Sequence, residues 1–345
     1  MDSTIASILL VDGLTNGAIY ALLGMTTVLL FAVTRVIFIP QGELVAFGAL
    51  TVGMLQLGQV PGTVWFLLLM AGTACILDAW ADWRTGKALS ALLTRAVRTL
   101  AFPVAISLLV VWLAPHKPPL LVQALLTLAL VTPFGPLIYR LGYQSLADAS
   151  TLVLLIVSVG VHFALMGLGL YFFGAEGYRN PSFWDARFDL GPVTLSGQML
   201  IIGLATAALI GLLWLFFERT LRGKALRATA VNRLGARLMG VSTEAAGRLS
   251  FAMAAFIGAL SGLLIGPTTT VFYDSGFLIG LKGFVAAVFG GLSSYPLALV
   301  GALLVGVIES FSSFWASAFK EVFVFTFILP VLMWRSLREP HHDED

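Results

Sequence analysis

The sequence predicts an all-α integral membrane protein with about eleven transmembrane or re-entrant helices. Of its 345 residues, 59% are hydrophobic and only 11% are charged, and the mean hydropathy is +0.95. Soluble domains carry about 25% charged residues, so this chain cannot cover a water-soluble surface. The apolar residues also gather into runs close to the roughly 20 residues that a helix needs to cross a bilayer.

Eleven apolar segments, separated by short polar or glycine-containing connections, are the candidate spans. We interpret the whole chain, residues 1–345, as one polytopic domain. Its shorter segments, such as 277–292, are typical of re-entrant or tilted helices. The segments are 8–33, 41–57, 63–81, 100–114, 120–139, 151–173, 198–217, 249–269, 277–292, 297–315 and 322–334.

The basic residues predict the orientation in the membrane. Lysine and arginine in short loops favour the cytoplasmic side. Four basic residues follow the third span in the segment 82–98, and seven lie in 218–248. The connection 174–197 mixes acidic residues with prolines and aromatics, which is typical of an outer loop. We therefore expect the N-terminus outside and the C-terminus inside, as an odd number of crossings requires.

Small residues recur at helical spacing in two of the spans. Such residues allow helix backbones to approach closely inside a bilayer, which predicts tight helix packing. A mobile gating face is the alternative interpretation. The residues are Gly13, Gly17 and Ala21 in the first span, and Gly258, Gly262 and Gly266 in the eighth.

The longest segment outside the membrane is 218–248, where leucines alternate with arginines at roughly helical spacing. This pattern predicts an amphipathic helix or helix pair. Gly240 followed by Ser242 and Thr243 supplies a helix end and then a helix start. The segment is either a basic connector that contacts anionic lipid or a docking element for a cytosolic protein.

Several short motifs, in one order along the chain, carry a family resemblance. The first group is NGAIYAL at 16–22 and QGE at 41–43. The second is GKALRATA at 223–230 with RLMGV at 237–241, and the third is GLKGF at 280–284 with GVIES at 306–310. Together they resemble the branched-chain amino acid permease family of ATP-binding cassette (ABC) importers.

The resemblance implies that 218–248 is a cytoplasmic coupling loop, which would fill a groove on a nucleotide-binding subunit. Thr229, Ala230, Val231 and Gly235 are similar in spacing to the broad permease motif E-A-A, three residues, G, although the acidic first residue is absent. The candidate ATPase-coupling residues are Arg222, Lys224, Arg227, Thr229, Ala230, Arg233, Gly235 and Arg237.

Two features depart from the family pattern. Gln41 stands where the family usually has a histidine, within Phe38-Ile39-Pro40-Gln41-Gly42-Glu43. The segment 58–134 is longer than the family pattern implies, and we interpret it as an insertion with about two extra helices.

The partners follow from the same resemblance. It implies ABC ATPase subunits, a second homologous permease and a periplasmic solute-binding protein, in a bacterial inner membrane. The substrate would be a branched-chain or other apolar amino acid, or a related amide. Lys87 and Lys224 each follow a glycine but lack the rest of a phosphate-binding loop. We therefore expect no directly bound cofactor, and ATP to be used by a partner subunit.

Polar residues inside the spans are the candidate solute contacts. Lys282 and Glu309 lie at matching depth in neighbouring spans, and a structural ion pair is the leading interpretation. Snorkelling of Lys282 and a substrate contact are the alternatives. Asn16 and Tyr20 share one face of the first span, and Gln41 and Glu43 begin the second, so these four residues form a possible substrate path. Asn16 and Tyr20 could equally hydrogen-bond a neighbouring helix, whereas a satisfied helix N-terminus is the simplest explanation of Gln41 and Glu43.

Other function classes have less support. A net charge of +2 without a broad basic stripe argues against nucleic-acid binding. His162 has no second histidine or acidic residue one turn away, so we expect a buried neutral histidine and no metal site. Clustered His, Asp or Glu typical of a membrane enzyme are missing from the sequence. A stand-alone secondary transporter or channel is the alternative function, although few charges lie at midplane.

Overall fold

The protein is almost entirely helical. The computed structural model describes residues 3–86, 89–191 and 193–338, and for residues 89, 91, 190, 193, 334–336 and 338 it describes the backbone alone. The helices are α1 (Ser3–Thr34), α2 (Gln41–Gln56), α3 (Gly62–Arg84), α4 (Leu89–Leu113), α5 (Leu120–Val131), α6 (Phe134–Ile138), α7 (Thr151–Phe173), α8 (Gly197–Arg219), α9 (Leu221–Val231), α10 (Arg233–Leu238), α11 (Thr243–Ile265), α12 (Ser275–Phe289), α13 (Tyr295–Ala316), α14 (Lys320–Thr326) and α15 (Ile328–Arg338), and the strands of one hairpin are β1 (Arg187–Leu190) and β2 (Val193–Ser196).

Eight helical segments in the described residues are long and apolar enough to cross a bilayer, which confirms an all-α multi-pass protein. The count of eleven and the orientation of the termini stay predictions. Lys87, one of the basic residues behind that orientation, lies outside the described residues. The eight segments are Ser3–Thr34, Gly62–Arg84, Leu92–His116, Leu120–Leu146, Thr151–Phe173, Gly197–Arg219, Thr243–Ile265 and Tyr295–Met333.

Glycines bring the backbones of the central helices into contact, which confirms the predicted tight packing. A Cβ atom added at Gly13 or at Gly17 of α1 would lie less than 3.0 Å from a backbone Cα of α13. A Cβ atom at Gly262 of α11 would overlap the backbone of α2 in the same way. Because lipid gives no hydrophobic drive for helix association, such close van der Waals contact holds these helices together.

The helices α2 and α12 are short and meet inside the protein. Residues 35–40 lead from the end of α1 back to α2, and Val36 and Phe38 of this connection are buried. Gly42 of α2 lies against Gly276 of α12, and a Cβ atom on either would overlap the other's carbonyl oxygen. The segments 34–44 and 268–278 that enter these helices share Thr, Phe, Gly and Leu at the same relative positions.

The predicted insertion, 58–134, forms the helices α3, α4 and α5. The prediction of a basic loop at 82–98 is wrong for most of that range, because only four residues separate α3 from α4. Arg95 of α4 donates hydrogen bonds of 3.0 Å to both carboxylate oxygens of Asp82 in α3. These ion pairs join the polar ends of α3 and α4.

One connection, residues 174–196, lies at the opposite end of α8 from α9. Tyr178 pairs with Val271 through two backbone hydrogen bonds of 2.9 Å. Asn180 donates from Nδ2 to the carbonyl oxygen of Ala49 at 3.0 Å. The connection is thus fixed onto α2 and onto the segment that leads to α12. We call this end of the bundle the hairpin end, and the end that carries α9 and α10 the basic end.

Candidate functional site

A cavity of about 1070 Å³ lies at the hairpin end of the bundle. It is lined by residues of α1, α8, α12, α13 and α14, by the end of α11, and by the connections 174–196 and 267–270. Its volume reaches the upper end of the roughly 300–1000 Å³ that is typical of small-molecule sites. Acidic and basic side chains line it in equal number: Asp12, Asp185, Glu309 and Glu321, and Arg179, Arg187, Lys282 and Lys320.

Lys282 is the centre of a charge cluster on the cavity wall. Its Nζ lies 2.5 Å from Oε1 of Glu309 and 3.1 Å from Oε1 of Glu321. Tyr20 donates a hydrogen bond of 2.6 Å to Oε2 of Glu309. Lys282 and Glu309 are only 5% and 8% exposed. The two residues that the sequence pairs are therefore in direct contact, and Tyr20 and Glu321 join them. We call these four residues the Lys282 cluster.

Four different helices supply the Lys282 cluster. Tyr20 is on α1, Lys282 on α12, Glu309 on α13 and Glu321 on α14. The close contact of α1 with α13 places the Tyr20 hydroxyl within reach of the Glu309 carboxylate. Any movement of these helices against one another changes the geometry of the cluster.

The four candidate residues of the substrate path separate into two places. Asn16 and Tyr20 line the cavity. Gln41 and Glu43 do not, and they are 2% and 1% exposed. Gln41 donates from Nε2 to the carbonyl oxygen of Ala254 at 3.0 Å, which ties the start of α2 to α11.

Glu43 has a partner that the sequence pattern missed. Nδ1 of His162 in α7 lies 2.7 Å from Oε1 of Glu43, and both residues are buried. The residues are 119 positions apart, so a search one helical turn away could not pair them. Among the described residues, no group of three His, Cys, Asp or Glu side chains is arranged to hold a metal ion.

At the basic end, the segment 218–248 contains two short helices, α9 and α10, so of the two predicted forms, one amphipathic helix or a helix pair, the structure shows the pair. Capping side chains define their starts. Thr220 accepts from the backbone N–H of Gly223 at 2.9 Å, and Asn232 accepts from that of Gly235 at 2.8 Å. Each cap satisfies a backbone donor that a helix N-terminus leaves free, so the chain turns sharply between the helices.

Three arginines among the candidate coupling residues bind the protein itself. Arg233 donates to the carbonyl oxygen of Ala147 at 2.7 Å, and Arg237 donates to Oδ1 of Asp148 at 3.0 Å. Arg227 donates to Glu218 at 2.5 Å. These contacts join α9 to the end of α8, and α10 to the loop before α7.

The remaining candidate coupling residues divide between packing and exposure. Thr229 is 2% exposed and donates to the carbonyl oxygen of Ala225 at 2.9 Å. Ala230 packs against the buried cluster around Leu226, and the N–H of Gly235 is used by the cap of α10. Arg222 and Lys224 are exposed.

A group of apolar side chains is exposed on these two helices and at the residue that follows α10. Val231 and Met239 are 87% and 84% exposed, and Leu234 and Leu238 are 68% and 80% exposed. We call these four residues the apolar tip. Clustered apolar side chains rimmed by charged ones are typical of a protein interface.

Comparison with known proteins decides the family. Residues 9–332 match the family model described as branched-chain amino acid transport system / permease component. The chain belongs to this permease family. The permease is therefore a multi-pass membrane transport protein and not an enzyme.

Curated relatives give the same result. The permease is 30% identical over 241 residues to the high-affinity branched-chain amino acid transport system permease protein BraD of Pseudomonas aeruginosa. The matched region covers 67% of the permease and 78% of BraD. It is 29% identical over 213 residues to LivH of Escherichia coli, covering 60% of the permease and 69% of LivH.

A solved structure is a weaker match. PsaBC from Streptococcus pneumoniae in complex with Fab has a TM-score of 0.38 and 12% identity to the permease, and the match covers 95% of the permease and 93% of that chain. At this TM-score the likeness is too weak to assign a fold.

Proposed function

We propose that the permease is the membrane-spanning subunit of an ABC importer in a bacterial inner membrane. It moves branched-chain or other apolar amino acids into the cytoplasm, and a separate ATPase drives each cycle. A second homologous permease and a periplasmic solute-binding protein complete the assembly. Membership of the family and the names of BraD and LivH support the solute class.

The observation that carries the proposal is the apolar tip on α9 and α10. Leu234 and Leu238 are exposed on helices that are otherwise fixed to the protein by arginines. An exposed apolar surface beyond the membrane gains free energy when a partner covers it. An ATPase that binds there can transmit its closure through α9 to α8 and through Asp148 to α7.

Substitutions at the apolar tip test the proposal directly. We expect the double variant Leu234→Asp and Leu238→Asp to abolish copurification of the ATPase subunit and ATP-driven leucine uptake in proteoliposomes. The charges remove apolar contact area at the surface, while the permease still inserts and folds. Leu234→Met is the matched control, and it should retain both properties because it keeps the apolar surface.

Substitution of an arginine in this segment should have a different effect from substitution of the two leucines. Arg233→Glu removes the contact with Ala147 and repels Asp148, so it should loosen the helix pair itself and lower coupling indirectly.

The neighbouring genes are a first check, since we expect an ABC ATPase, a second permease and a secreted binding protein. Leucine uptake by the isolated permease without ATPase or ATP would contradict the proposal in favour of a stand-alone transporter.

A further inference from the structure

The Lys282 cluster contains more negative than positive charge. One ammonium group, that of Lys282, contacts two carboxylates, those of Glu309 and Glu321. Both oxygens of Glu309 are used, one by Lys282 and one by Tyr20. Ion pairing and hydrogen bonding inside the cluster therefore fully satisfy Glu309 and leave one carboxylate in excess.

Glu321 carries the excess charge. Its Oε1 accepts from Lys282, whereas its Oε2 is buried and has no hydrogen-bond partner among the described residues. Lys320, beside it in sequence, lines the same cavity but forms no ion pair with it within 4.0 Å in that part of the chain. A carboxylate oxygen removed from water without a donor is unfavourable, so this atom favours a cationic hydrogen-bond donor.

The cavity brings solutes to this carboxylate. Glu321 lines the cavity, and its side chain as a whole is 28% exposed, so a small rotation of the carboxylate turns the buried Oε2 toward a solute. Arg179 lines the same cavity and donates from Nε to the carbonyl oxygen of Pro267 at 3.3 Å. Its two Nη atoms make no hydrogen bond within the described residues, so a cationic group is also free on the wall. A solute with separate positive and negative groups fits both.

We infer that Glu321, held beside Lys282 and Glu309, binds the α-ammonium group of an amino-acid substrate. The inference rests on the proposed function and narrows its substrate class. The carboxylate in excess attracts an ammonium group and repels a carboxylate that has no ammonium beside it. At this position, Glu321 therefore favours solutes that carry an ammonium group over carboxylic acids, amides and urea, which lack one. Glu321 contacts the solute, and Lys282, Glu309 and Tyr20 position it.

Equilibrium binding to the assembled transporter tests this assignment. The assembly is placed in lipid nanodiscs without the solute-binding protein, and binding of radiolabelled leucine is measured by scintillation proximity. Leucinol keeps the ammonium group and lacks the carboxylate, whereas 4-methylpentanoate and 4-methylpentanamide lack the ammonium group. We expect leucinol to displace leucine at concentrations at least tenfold lower than either compound without an amine.

The variants sharpen the test. Glu321→Gln should weaken leucine binding at least tenfold, and Glu321→Asp should restore part of it. Glu176→Gln is the matched control, because Glu176 is exposed on the connection 174–196 and does not line the cavity. It should bind leucine as the unmodified protein does. Should Glu321→Gln fail to fold, the comparison of leucinol with the two compounds without an amine decides the question on the unmodified protein.

Three binding results would overturn the inference: unchanged leucine binding by a folded Glu321→Gln variant, displacement by 4-methylpentanoate as effective as by leucinol, or no leucine binding by the unmodified assembly. ATP-driven transport with the solute-binding protein present is measured in parallel. Leucine transport that Glu321→Gln leaves unchanged overturns this inference and leaves the proposed function intact. Absence of transport of every branched-chain amino acid overturns the proposed function itself.

Discussion

The helices α2 and α12 start alike but lie in different surroundings. Both are short, and their first glycines, Gly42 and Gly276, contact each other. Each also carries a charged residue that pairs with another helix. Glu43 of α2 meets His162 and is enclosed by protein, whereas Lys282 of α12 meets Glu309 on the wall of the large cavity.

The surroundings of the two residues separate a buried charge that is structural from one that lies beside a solute cavity. Breaking an enclosed pair leaves an uncompensated charge and costs about 3–5 kcal/mol. At the cavity, water or a solute can reach the charges, so the same change affects stability less and transport more. Burial alone does not separate the two cases, because Glu43 and Lys282 are both at most 5% exposed. The neighbouring cavity separates them.

The largest expected effect comes from the contact that the two helices share. Gly42→Val places a branched side chain against the backbone of Gly276, which cannot move aside. Ordinary overpacking costs about 1–3 kcal/mol, and a backbone-to-backbone contact exceeds that range. We expect almost no folded protein, measured as the monodisperse fraction after extraction into mild detergent.

Gly203→Ala on α8 is the control for that variant, because nothing lies within 4 Å of an added Cβ there. It should leave the monodisperse fraction unchanged or raise it slightly, since alanine favours a helix by about 1 kcal/mol over glycine. A stable Gly42→Val protein would show that α2 and α12 separate in the folded state and that the contact between Gly42 and Gly276 does not hold them together.

Much of this architecture could be predicted from the sequence. The apolar runs marked the spans, because a bilayer admits only segments with a satisfied backbone. The equal depth of Lys282 and Glu309 predicted their pairing, since the two residues lie on spans that are adjacent in the chain. Short-range patterns also predicted a helix or helix pair in 218–248 and the start of the next helix, since Ser242, predicted to start a helix, is the N-cap of α11.

The rest depends on contacts between distant segments. The pairing of Glu43 with His162 joins α2 to α7, and the place of Glu321 beside Lys282 joins α14 to α12. The spacing of residues within one helix cannot predict either contact. For the same reason, Gln41 and Glu43 looked equivalent to Asn16 and Tyr20 as candidates, although only the latter pair lines the cavity.

A smaller effect is expected from the enclosed pair. His162→Leu leaves the Glu43 carboxylate buried without its partner, and we expect a loss of stability of about 3 kcal/mol. The double variant Glu43→Leu with His162→Leu should recover most of this loss, because it removes both polar groups together. Thermal unfolding of the detergent-solubilised protein measures the cycle. Strictly additive losses would show that the two side chains do not interact.

The smallest effect concerns Tyr20, at the edge of the Lys282 cluster. Tyr20→Phe removes one hydrogen bond to the Glu309 carboxylate, which is worth about 1.5–3 kcal/mol when the acceptor is charged. Because Glu309 keeps its contact with Lys282 and cavity water can replace the hydroxyl, we expect a stability loss of about 1.5 kcal/mol in thermal unfolding. Tyr171→Phe on α7 is the matched control, since Tyr171 is 80% exposed and should change nothing. A loss for Tyr20→Phe as large as that for His162→Leu would mean that water does not reach Glu309, and the Lys282 cluster would then be structural like the pair on α2.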